Sequence, residues 1–248
     1  MATKTTQSNT SETSPTGASA PPAGNAGIIL YYLENSRSQR ILWLLEEMGT
    51  PYEVEIYKRR PDGLADSKLK DIHPLGKSPV IRANGRVLAE SGFITEYLVN
   101  NFAPSLRPTG EQDLFDYGYY MHFAEGTMMT PLLVKLIFGM IVTGSPFFIR
   151  PISSRISASI NDLYIMPNLS ADFSMIESHL KTKAFFAGAS LSGADIMMSF
   201  PLEMAVSRAG LTKRKYPAIH QWLERIHARP AYKRALEKGG GNYDILKK

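Results

Sequence analysis

The stretch Ile72–Phe93, IHPLGKSPVIRANGRVLAESGF, decides the fold. It reads as a loop, a proline held before a strand, a tight hairpin, and an acidic–hydroxyl pair that opens a helix. Asn84-Gly85 accepts positive φ and suits a type I′ turn, so Val80–Arg82 and Arg86–Ala89 are expected to pair antiparallel. Glu90-Ser91 falls where strand gives way to helix, and the unpaired N–H groups of a helix start face an incoming anion. Pro79 stands one residue before the hairpin. In the cis form it would leave the backbone N–H and C=O of Ser78 to a ligand. The sequence leaves the isomer open.

Upstream, Ile28–Leu33 is a continuous apolar run, as in a strand buried on both faces. Ser36 and Gln39 have capping-box spacing, and Ile41, Leu42, Leu44, Leu45 and Met48 follow at helical period until Gly49. Tyr52, Val54 and Ile56 alternate with glutamates as a second strand, and Asp62–Asp71 is polar and weakly helical. The order βαβ–α–ββα is the thioredoxin-like α/β arrangement, with the first two strands parallel and the hairpin supplying an antiparallel edge. Ala103–Gln112 is rich in Pro, Ser and Gly and reads as a linker. Helical patterns follow at Leu114–Phe138, Ile152–Leu163, Leu169–Lys181, Ser192–Ala209 and Tyr216–His227, around a broken region at Gly139–Pro151. Ser192-Gly-Ala-Asp195 is a second hydroxyl-x-x-acid cap. The expected division is a tail at 1–26, an α/β domain at 27–102, the linker at 103–112, an all-α domain at 113–238 and a tail at 239–248.

The 248 residues carry a net charge of +5 with scattered Lys and Arg, which does not give the clustered stripe that tracks a nucleic-acid backbone. No cysteine is present, so disulfides, thiolate metal sites and a protein cysteine nucleophile are excluded. Residues 1–26 contain no Val, Ile, Leu, Phe, Tyr or Trp, a composition expected to stay disordered, with neither a signal core nor a transit-peptide pattern. Pro131–Ile149 is the membrane-like run. Lys135 and the Gly144-Ser145-Pro146 break make a buried core helix the expectation, with peripheral bilayer contact left open.

These segments together resemble the glutathione transferases. LENSRSQRILWLLEE, IHPLGKSPV, LAESGFI, LSGADIMMSFPLEMA and YPAIHQWLERI are most similar to the fungal group typified by the yeast endoplasmic-reticulum-associated enzyme, over about residues 27–238. The resemblance implies that glutathione is bound as co-substrate, with no cofactor, and that its thiolate attacks a hydrophobic electrophile or a hydroperoxide. It also implies a homodimer, and a cytoplasmic location with association to the endoplasmic reticulum membrane. Because a free thiol with pKa near 8.5 is mostly protonated at neutral pH, lowering it by about two units needs roughly 2.7 kcal/mol of thiolate stabilisation. Ser36, at the mouth of the first helix, is the expected hydroxyl donor, with Asn35 and Tyr32 as runners-up; helix capping is the competing role for Ser36.

Matched residue by residue, Ser78-Pro79 takes the place of the family's cis-proline step. Glu90 and Ser91 match the pair that holds the γ-glutamyl ammonium and carboxylate. Lys77 stands where many relatives carry Gln, and Arg60 (or Arg59) would supply a basic residue after the second strand. Asp195 matches a structural helix-cap acid. Tyr119, Tyr120, Phe123, Met128 and Met129 are expected to line the electrophile pocket, with plain core or dimer contact as the competing role. His122 and Glu125 have no third ligand nearby, so no metal site is expected. Without the catalytic reading, the same fold would suit a non-catalytic binding or regulatory protein, or a carrier of hydrophobic compounds.

Overall fold

A computed structural model describes residues 27–241 and 243–246. The N-terminal tail therefore lies outside the described residues. A four-stranded sheet has the order β2-β1-β3-β4, from β1 (Ile28–Leu33), β2 (Tyr52–Tyr57), β3 (Val80–Ala83) and β4 (Arg86–Ala89). β1 is parallel to β2, with Tyr31 opposite Glu55, and antiparallel to β3, with Leu30 opposite Ile81. Asn84 and Gly85 both take positive φ, at 49° and 73°, so the hairpin closes through the turn their side chains permit.

The sheet's helices are α1 (Ser38–Met48), the one-turn α2 (Leu69–Ile72) and α3 (Ser91–Phe102). Gly49 ends α1 in the left-handed conformation, as its position in the sequence suggests. The capping box at its start does not form. Gln39 instead turns inward, where its Oε1 accepts the Tyr32 hydroxyl at 2.9 Å, and Ser36 Oγ accepts the backbone N–H of Ser38 at 3.1 Å.

The second domain is helical: α4 (Glu111–Phe123), α5 (Met129–Gly144), α6 (Arg150–Ile160), α7 (Met166–Leu180), α8 (Gly193–Arg208), α9 (Pro217–His227) and α10 (Pro230–Lys238). A π turn at Ala124–Met128 joins α4 to α5 as one 34-residue helix, and another at Asn161–Ile165 joins α6 to α7. The break expected near residue 164 is therefore absent: Pro167 stands inside the joined helix, directly after the π turn, whose altered hydrogen bonding accommodates a residue without an N–H. Pro230 starts a further helix, α10, beyond the last one expected at Tyr216–His227.

α8 is the central helix, buried from Gly193 to Ala205. Asp195 builds the expected cap: its Oδ2 accepts Ser192 N–H at 2.9 Å, while Oδ1 accepts from Phe186 N–H and Trp222 Nε1, each at 2.9 Å. A Cβ on Gly193 would stand 2.8 Å from the Tyr117 hydroxyl, so only glycine lets α8 approach α4 here. α10 closes onto α1 through Arg229 to Glu47 and through Arg234 and Lys238 to Glu46.

The expectation of a buried core helix at 131–149 is overturned. Within α5 only Met129, Pro131 and Leu132 are buried, while Phe147 and Phe148 are 83% and 66% exposed. α5 packs along α6 and leaves Leu133, Ile137, Met140 and Ile141 exposed, so the two form an arm with one face uncovered. The 34-residue helix is long and apolar enough to cross a membrane by length and composition alone. The C-terminal segment, expected as a tail, folds back and buries Tyr243 and Ile245.

Candidate active site

Pro79 follows a cis peptide bond. β1–β3 pairing ends at Tyr31–Val80, and a proline cannot donate to the next position along the ladder. The Ser78 hydroxyl does so instead: it donates to the Tyr31 carbonyl at 2.8 Å and accepts Leu33 N–H at 3.2 Å. Ser38 Oγ touches it from the start of α1. The side chain of Ser78 is thus consumed in fixing the loop, and its backbone borders the cleft.

Glu90 joins β4 to α3 at φ 72°, a left-handed conformation that costs a residue with a Cβ roughly 1–3 kcal/mol. The strain turns Glu90 and Ser91 toward one cavity of about 410 Å³, whose lining also includes Lys77, Ser78 and Pro79. Glu90 is exposed and Ser91 buried; neither side chain has a hydrogen-bond or ion-pair partner among the described residues. Lys77 is exposed on the same rim and also without a partner. One side chain that can take an ammonium, one hydroxyl at a helix N-terminus and one cation therefore converge on a single hollow.

A second cavity of about 510 Å³ adjoins it, sharing Arg37, Lys77, Ser78 and Leu133. Its apolar wall comes from Met129, Leu133, Leu136 and Met140 on α5, from Phe200 and Met204 on α8, and from Ile245. Of the five residues expected there, Met129 lines it, and Tyr119, Tyr120, Phe123 and Met128 do not. Tyr119 and Phe123 face a separate surface hollow with Phe115, while Tyr120 and Met128 are core residues. The α4 aromatics point away because the π turn at 124–128 rotates the helix face, so that α5 rather than α4 meets the cleft. The stripe at 129, 133, 136 and 140, and the i, i+4 pair Phe200–Met204, were the readable signal for this wall.

The three expected donors fare differently. Asn35 and Ser36 both line the apolar cavity. Ser36 Oγ donates to the Leu33 carbonyl at 2.7 Å, and Asn35 Nδ2 donates to Asp244 Oδ2 at 2.9 Å. Tyr32 does not reach the cleft: it is buried in the core, and that burial, reinforced by the Glu34 charge, pushes its phenol far above the ordinary range. Arg60 is also turned away, paired with Asp62, whereas Arg59 lines the cavity and donates to the Asn35 and Gly63 carbonyls, each at 2.9 Å.

Arg37 borders both cavities and was not singled out in the sequence, where it stands between the two serines of Ser36-Arg37-Ser38. It pairs with Glu125 on the π turn, and Glu125 also takes the fully buried Arg40 from beneath. Burial opposes ionisation of Glu125, but these two arginines hold its carboxyl below the usual range. The same pairing removes Glu125 from His122, which lies on the outer surface of α4.

The glutathione S-transferase N-terminal domain matches residues 26–100, and the C-terminal domain of that family matches residues 155–230. Glutathione S-transferase 1 of Saccharomyces cerevisiae is 34% identical over 229 residues, covering 87% of this chain and 98% of its own. Glutathione S-transferase 3 of Schizosaccharomyces pombe is 35% identical, covering 85% of this chain and 87% of its own. The crystal structure of a glutathione S-transferase from Actinobacillus pleuropneumoniae is 32% identical, superposes with a TM-score of 0.72, and covers 89% of this chain and 96% of its own. A cis-proline cleft of this geometry, on both halves of that two-domain fold, shows that the chain belongs to the glutathione S-transferase family.

Proposed function

We propose that the protein is a glutathione transferase that joins the glutathione thiolate to hydrophobic electrophiles and also reduces hydroperoxides. The observation that carries this is the convergence of Ser78–Pro79, Glu90 and Ser91 on a polar cavity that opens into an apolar one at the mouth of α1. In this reading the backbone of Ser78 pairs with the cysteinyl unit, Glu90 takes the γ-glutamyl ammonium and Ser91 its carboxylate. The sulfur then rests over α1, where Ser36 turns its proton from the Leu33 carbonyl to the thiolate and the helix start and Arg37 add positive potential. Titrating the thiol of bound glutathione by its thiolate absorbance tests this. Ser36→Ala should raise that pKa by about 1–2 units and lower turnover of a chloronitrobenzene acceptor about 10–100-fold at neutral pH.

A second reading is a non-catalytic glutathione-binding protein. It is favoured by the donors themselves, since the protons of Ser36 and Asn35 already serve Leu33 and Asp244. Tight glutathione binding with an unshifted thiol and no turnover would select it.

Two features bear on assembly and location. The exposed Phe115 and Tyr119 around the outer hollow of α4 fit a homodimer contact, which Phe115→Glu should dissolve in a sedimentation experiment. The uncovered α5–α6 arm carries Phe147 and Phe148 at its tip and no acidic residue from Gly126 to Asn161, against Lys135, Arg150 and Arg155. That pattern suits a cytoplasmic protein resting on an anionic bilayer surface. The protein should float with anionic vesicles, and Phe147→Ser with Phe148→Ser should abolish flotation.

A further inference from the structure

Four cations border the apolar cavity: Arg37, Arg59, Lys77 and Arg208. Arg37 is committed to Glu125, and Lys77 sits on the rim shared with the polar cavity. Arg59 and Arg208 remain. Arg59 is half-buried; its guanidinium donates to the neutral carbonyls of Asn35 and Gly63, while its backbone N–H donates to Glu34 Oε1 at 2.9 Å. Arg208 closes α8, four residues beyond Met204 and eight beyond Phe200, so one stripe of α8 runs from apolar wall to guanidinium. It has no hydrogen bond or ion pair among the described residues. The carboxylate on the same lining, Asp244, is engaged by Asn35.

Burial lowers the proton affinity of the Arg59 guanidinium, Glu34 opposes this, and the charge of Arg208 lowers it further. The two cations therefore repel each other across the cavity, a cost that an anion between them would reverse. Capping the α8 dipole explains a cation in the last turn, but not its position on the stripe that faces the electrophile wall. Arg208 also borders the groove between α5 and α6, together with Leu136 and Met140, so an apolar body can lie along α5 with its polar end at the arginines.

We propose that Arg59 and Arg208 form a carboxylate-binding subsite, and that the preferred second substrates are apolar electrophiles carrying a carboxylate. This deepens the conjugation reading above and rests on it. Glutathione conjugates of chloronitrobenzoate and of the near-isosteric, uncharged chloronitrobenzamide isolate the effect, because affinity is read without turnover. By calorimetry the carboxylate conjugate binds wild-type protein at least 10-fold more tightly. Arg208→Gln brings the ratio to about 1, Arg208→Lys keeps part of it, and raising salt shrinks it in the wild type, which needs no variant to fold. Equal binding of the two conjugates, or a ratio untouched by Arg208→Gln and by salt, overturns the subsite alone. Failure of both conjugates to bind overturns the conjugation reading and the subsite together.

Discussion

At the scale of single residues, the site is held by side chains that have given up other options. Ser78 spends its hydroxyl on the end of β1, and Glu90 holds a left-handed backbone at φ 72° to face the cavity. Glycine adopts that conformation without a Cβ penalty, so Glu90→Gly should stabilise the fold by about 1 kcal/mol, raising Tm by roughly 2–4 °C. The same change removes the carboxylate and should weaken glutathione binding at least 10-fold. Scanning calorimetry and titration on one sample check both signs; a variant that loses stability would show that Glu90 is unstrained. Ser78, Glu90 and Ser91 were legible in the sequence because a proline, an Asn-Gly turn and a strand-to-helix boundary fix their places locally. Tyr32 and Arg60 were misread because the direction of a side chain depends on its partner: Gln39 takes the Tyr32 hydroxyl, and Asp62, two residues on, takes the Arg60 guanidinium.

At the scale of elements, the joint between domains is a charged clasp from α1 to α10. Burial raises the Glu46 carboxyl, but hydrogen bonds from Lys238, Tyr52 and Arg234 outweigh it and bring the value down to about 2. A carboxylate whose folded value lies below its unfolded one stabilises fully above the unfolded pKa, and that stabilisation fades as pH falls from about 4.5 toward 2. With Arg234 and Lys238 half exposed, solvent screening leaves on the order of 1–2 kcal/mol at neutral pH. Glu46→Gln should therefore lower denaturant stability by that amount at pH 7 and by almost nothing near pH 2. A constant deficit across that range would mean packing, not charge, holds the joint. α10 itself escaped the sequence reading, since Pro230 looks like a stop and only the fold shows it as a start. The strands, α1 and α8 were plain, because apolar runs and caps are local signals.

At the scale of the whole molecule, two domains meet along α8 and leave between them a polar hollow and an apolar one that share a wall. Order of elements and domain pairing were legible from the hairpin, the linker and the second cap. The apolar wall was legible only as a stripe at 129, 133, 136 and 140; that this face rather than that of α4 meets the cleft was not, because a π turn inside a continuous helix decides it. The exposure of the α5–α6 arm was equally hidden, since an apolar run looks the same whether a core or nothing covers it. The account depends on a tripeptide thiol being held at its γ-glutamyl end. Calorimetric titration with glutathione, beside cysteinylglycine, tests this most directly. The dipeptide keeps the thiol and the glycine end but lacks the γ-glutamyl carboxylate for Ser91, and its own ammonium sits on the cysteinyl α-carbon, several bonds short of the place assigned to Glu90. It is predicted to bind at least 100-fold more weakly, a loss of about 2.7 kcal/mol or more; equal affinity for the two would contradict the account.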